Sequence, residues 1–135
     1  MKIEEQVLSR EQMAHLEELG VDTSDASMMW YCCDKKWYLQ INNELSQGVA
    51  NVMNRAANFF VPAYTIGDLI EKLPKQISRY NLSVCWKNEY VEYDNWISEE
   101  FTDYIGIFNF EYRPLIEALY DCLCWIAENH KELIK

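Results

Sequence analysis

Residues Pro114 to Asn129 limit the fold more than any other stretch of the sequence. Leu115, Ile116, Ala118, Leu119, Tyr120, Cys122, Leu123, Cys124, Trp125, Ile126 and Ala127 leave a narrow polar strip of Glu117, Asp121 and Glu128. Pro114 suits the first turn of a helix, where a missing N–H leaves no bond unmade. A helix apolar nearly all round is buried nearly all round. In a chain of 135 residues, the size of one domain, it lies in the concave face of a sheet under other helices, or meets a second copy. A homodimer is therefore one expectation.

The elements that would cover this helix can be read upstream. Ser9 with Gln12 has the spacing of a capping box, and Leu8 with Met13 that of a hydrophobic staple. Leu16 and Leu19 continue the stripe to Gly20, predicting a helix over Arg10 to Leu19. Ser27 to Cys33 and Lys36 to Ile41 read as strands joined at Asp34-Lys35, a two-residue hairpin turn without the favoured glycine. Leu45, Val49, Val52, Met53, Ala56, Ala57 and Phe60 fall at helical spacing, while Gly48 and five asparagines weaken that helix. Helix or loop both stay open for residues 42–60. Thr65 caps a short helix over Ile66 to Leu73, and Pro74 stops it. Tyr80 to Lys87, Tyr90 to Tyr93 and Tyr104 to Phe110 read as further strands, with a turn at Asn88-Glu89 and an interruption at Asp94-Asn95. The fold class is α+β: one domain over residues 1–135, an antiparallel sheet of about five strands, and three or four helices packed on it.

Composition excludes several functions. Twelve Lys and Arg stand against 22 Asp and Glu, a net charge of −10. Direct binding to nucleic acid needs clustered cations, and anionic membranes need the same. The start of the chain is charged where a secretory signal would be apolar, and no apolar run is longer than Cys122 to Ala127, far short of the roughly 20 residues of a membrane span. A cytoplasmic protein is expected. Five cysteines, Cys32, Cys33, Cys85, Cys122 and Cys124, have neither disulfide-framework nor zinc spacing, and read as reduced, mostly buried thiols. With four glycines, a phosphate-cradling loop is not expected either. No cofactor or metal is predicted.

Three blocks carry a resemblance: LSREQMAHLEELGVDTSDASM at Leu8 to Met28, VPAYTIGDLIEKLP at Val61 to Pro74, and RPLIEALYDCLCW at Arg113 to Trp125. Together, over a little more than a third of the chain, they resemble an uncharacterised family of short proteins encoded in prophages and mobile elements of gut anaerobic bacteria. The resemblance implies a cytoplasmic accessory protein of a phage or mobile element, and assigns no catalytic or binding residue.

The unusual feature is an acidic window. Between Asn88 and Tyr112 stand Glu89, Glu92, Asp94, Glu99, Glu100, Asp103 and Glu111 without a single Lys or Arg. Tyr90, Tyr93, Trp96, Phe101 and Tyr104 are interleaved with them. A charged sheet edge explains such a window; so does a docking face for a basic protein, since aromatics dominate interface hot spots and a one-signed field speeds encounter. A divalent-cation site is the third reading, set last because the acids lack the Asp-x-Asp-x-Asp-Gly spacing of an EF-hand. The residues expected to meet a partner are Glu89, Glu92, Tyr93, Asp94, Trp96, Glu99, Glu100 and Asp103. A phage-related, non-enzymatic protein that binds a basic protein partner is the leading functional expectation. The alternative is a small hydrolase or transferase using a Cys or carboxylate, revealed by a concave pocket where Cys32, His15 or two carboxylates converge.

Overall fold

A computed structural model describes residues 3–43, 60–98, 101–109 and 113–134. Of the segment expected to be helix or loop, residues 42–60, only Asn42, Asn43 and Phe60 are described, and the rest lies outside the described residues. The chain divides into two compact units, Met1–Asp68 and Leu69–Lys135. Three helices, α1 (Arg10–Glu18), α2 (Ile66–Lys72) and α3 (Leu115–Asn129), and seven strands in two antiparallel sheets are described. The α+β class holds. The single sheet of about five strands is corrected to two sheets of three and four.

In the first unit, α1 begins and ends as its sequence dictates. The Ser9 hydroxyl accepts from Gln12 N–H while the Gln12 side chain accepts from Ser9 N–H. Leu8 and Met13 are fully buried. At the other end, Gly20 takes a φ of 88°. Its N–H donates to the Glu17 carbonyl and Val21 N–H to the Leu16 carbonyl, the double closure that a left-handed residue permits. The first sheet has the order β2-β1-β3, with β1 Met28–Cys33, β2 Lys36–Ile41 and β3 Phe60–Ala63. Asp34 and Lys35 both have positive φ, 51° and 65°, the twist a two-residue hairpin requires. The strand β3 was not expected, and its Pro62 is tolerated because β3 is an edge of this sheet. Trp30 Nε1 donates to the Leu8 carbonyl, and Asp68 accepts from the Ser27 and Thr65 N–H groups, tying β1 to the start of α2.

The second unit has the sheet order β4-β5-β6-β7, with β4 Gln76–Ile77, β5 Tyr80–Cys85, β6 Tyr90–Ser98 and β7 Phe101–Asn109. Helix α3 packs on β6 and β7, and Leu119, Cys122, Leu123 and Ile126 have no exposed surface. The expected interruption at Asp94-Asn95 does not occur. Asp94 pairs with Asn81 on one side and Tyr104 on the other, and its carboxylate accepts from the Ser83 hydroxyl, so the polar pair is held inside the ladder. The strand expected to reach Lys87 ends at Cys85, and Trp86 stands in the following turn, 61% exposed. Among the described residues, no helix is long and apolar enough to cross a membrane.

The five thiols are free, but the expectation of mostly buried thiols is corrected. Cys122 is buried and Cys33 is exposed, because β1 ends beside the hairpin turn; the other three are half-buried. Burial pushes the Cys122 thiol up, and that of Cys124 up to about 11.

Candidate functional site

Strand alternation sorts the acidic window onto two faces of the second sheet. Residues at even positions of β6 share one face: Tyr90, Glu92, Asp94 and Trp96, flanked across the ladder by Ser83, Cys85 and Tyr104. Val91 and Tyr93 point the other way, toward α3. The ring of Tyr93 lies 6.4 Å from that of Trp125, and its hydroxyl donates to the Pro74 carbonyl at 2.8 Å. Tyr93 has no exposed surface, so its place among the partner-binding residues is corrected: it is core. A register shift between Tyr93 and Asp94 keeps Tyr104 opposite Asp94 despite the extra residue in β7.

Three of the eight expected residues therefore share a face. Glu92 and Asp94 are half-buried, and Trp96 is 72% exposed with Tyr104, a residue the expected set left out, 44% exposed nearby. Asp103 belongs elsewhere. It pairs with Asn95, accepts from the Tyr80 hydroxyl at 2.8 Å and meets Arg79 at 3.2 Å. Those two partners hold its carboxyl below the usual aspartate range. Glu89, in the turn before β6 with a φ of 52°, accepts from Leu115 N–H at 3.4 Å and so caps the start of α3. Glu99 and Glu100 lie outside the described residues.

The electrostatics of the shared face centre on Glu92. Burial of its carboxyl, a hydrogen bond with Asp94 and the negative charge of that residue push it up to about 7. Near neutral pH the Glu92 carboxyl is thus partly protonated, because burial and the neighbouring charge both oppose its ionisation. Among the described residues no Lys, Arg or His forms an ion pair with either. Tyr90, beside them, is raised by the charge of Glu92 and by Cys85. Such a pair can accept a cation from outside, or donate and receive a proton. Among the described residues no group of His, Cys, Asp and Glu is arranged to hold a metal ion.

A groove lies elsewhere, in the first unit. A cavity of about 470 Å³ in the first unit is lined by Arg10, Glu11, Ala14, Glu17, Trp37, Phe60, Val61 and Pro62. It contains neither Cys32 nor His15, whose Nδ1 stands 3.8 Å from Glu18, and none of the acidic-face residues. Alternation within β6 was the signal that could have removed Tyr93 beforehand; the partnership of Asp103 with Arg79 had no sequence signal, being 24 residues apart. The chain matches no protein-family model, no curated protein and no solved structure.

Proposed function

We propose that this chain is a non-enzymatic accessory protein of a phage or mobile element, acting in the cytoplasm of its host by binding a basic protein partner. The observation that carries the reading is the exposed indole of Trp96 beside a carboxyl pair that has no cation among the described residues. An exposed aromatic gives apolar area to an interface, and a one-signed neighbourhood selects the sign of the partner. The prophage context comes from the three sequence blocks. Placing Lys against Glu92 favours the ionised form of its carboxyl, so association strengthens as pH rises through about 7 and is weakened by salt.

The test is capture from a lysate of the bacterial host by the tagged chain at low and high salt, beside Glu92→Lys with Trp96→Ser. The wild type is expected to retain a basic protein at low salt and release it at high salt, and the double variant to lose it while still unfolding in one cooperative transition. If the variant keeps every partner of the wild type, the face is only a charged surface. Convergence of the two carboxyls and the position of Glu92 near 7 favour a second reading, a hydrolase or transferase with Glu92 as acid–base group. Hydrolytic turnover lost in Glu92→Gln would establish that reading instead.

A further inference from the structure

The groove of the first unit has a chemistry of its own. One wall is α1, with Arg10, Glu11, Ala14 and Glu17; the other is Trp37 with Phe60, Val61 and Pro62. Trp37 belongs to β2 and the other three to β3, the two edge strands of this sheet, so the groove reaches from one edge strand to the other. Its volume of about 470 Å³ falls among small-ligand sites of about 300–1,000 Å³. The Arg10 guanidinium carbon lies 4.0 Å from the centre of the Trp37 ring. No carboxylate among the described residues pairs with it. Stacking fixes the guanidinium while leaving its N–H fork for an acceptor, the arrangement that suits a carboxylate.

The opposite charge stands further along the same helix. Glu17, held by the Thr23 hydroxyl at 2.8 Å, is seven residues beyond Arg10, about 10 Å along the axis at about 1.5 Å per residue. An extended peptide covers that distance in about three residues. Two carboxylates against one guanidinium disfavour a simple anion and suit a molecule with a charge of each sign at its ends. The wall facing α1, Trp37 with Phe60, Val61 and Pro62, is apolar.

We propose that this groove binds a free tripeptide with apolar side chains, its terminal carboxylate on Arg10 and its α-amine at Glu17. The inference is independent of the acidic face. Calorimetric titration with trileucine, its C-terminal amide and its N-acetyl form tests it. Trileucine is expected to bind, and each modified form to bind about tenfold or more weakly, the scale of a lost charge-assisted bond. Arg10→Gln is expected to remove the preference for the free carboxylate, and Glu17→Gln, which still accepts from Thr23, the preference for the free amine. The modified ligands on the unaltered protein keep the test decisive if a variant is unstable. Absence of trileucine binding, equal binding of the amide, or binding only of a longer lysine-bearing C-terminal tail overturns the proposal.

Discussion

Glu92 and Tyr93 are adjacent in sequence and opposite in environment. Both belong to an alternating acidic and aromatic run that reads as one surface, but the pleat sends them to different faces. Tyr93 is sealed against Trp125 while Glu92 meets Asp94. The composition of the window was legible, and alternation already separated Glu92 from Tyr93; that Asp94 and Trp96 join the face of Glu92 was not, because it needs the strand to be known to run through Asp94. Glu92 has a consequence for stability. Its carboxyl titrates near 7 when folded and in the ordinary range of about 4.3 when unfolded. Between those values the folded chain holds a proton that the unfolded chain has released, so stability declines as pH rises through that window. Asp94, Tyr90, Cys85 and Tyr104 face the group and add no positive charge. Glu92→Gln, neutral throughout, is expected to melt above the wild type at pH 7.5 and to lose that advantage toward pH 4.5. Thermal scans across the range check this. A constant difference between the two proteins would place the proton elsewhere.

At the scale of elements, legibility followed local chemistry. The start of α1 rests on a capping box and staple within six residues, the hairpin on two adjacent positions, and α2 on the reciprocal bonds of Thr65 and Asp68. All of these were readable, and each boundary agrees to within about a residue, the scatter of any such assignment. The short strands were not. Phe60–Ala63 and Gln76–Ile77 contain four and two residues, too few for periodicity, and exist because β1 and β5 present edges to them. The hairpin also shows where the sequence departs from its ideal. Lys35 sits at a φ of 65°, a region in which a side chain costs about 1 kcal/mol and glycine almost nothing. Lys35→Gly is therefore expected to stabilise the chain by about 0.5 kcal/mol or less, once the added freedom of the unfolded state is subtracted. Urea unfolding measures it; a loss of stability would mean that the left-handed turn is not populated.

At the scale of the whole molecule, the apolar last helix was the strongest sequence constraint, and α3 does lie against a sheet. The number of sheets was hidden because nothing local distinguishes a strand of one sheet from a strand of another; only long-range pairing assigns β3 to β1 and β4 to β5. Within the unit Leu69–Lys135, α3 supplies eight buried residues, more than any strand there, so the stability of that unit rests on the fit of one helix. Leu119 is the residue to test. It is fully buried in the second turn of α3, with Leu115 and Leu123 one turn to either side, both buried. Leu119→Ala removes three carbons from a helix position that alanine itself favours, so propensity does not contribute to the loss. What remains is lost burial and a cavity, about 2–5 kcal/mol for such sites. Glu128→Ala, on the exposed side of the same helix, serves as the control and is expected to change stability by less than about 0.5 kcal/mol. Calorimetric melting of both variants separates the two effects. If Leu119→Ala melts with Glu128→Ala and the wild type, α3 does not hold the second sheet, and the burial that assigns it to the core is wrong.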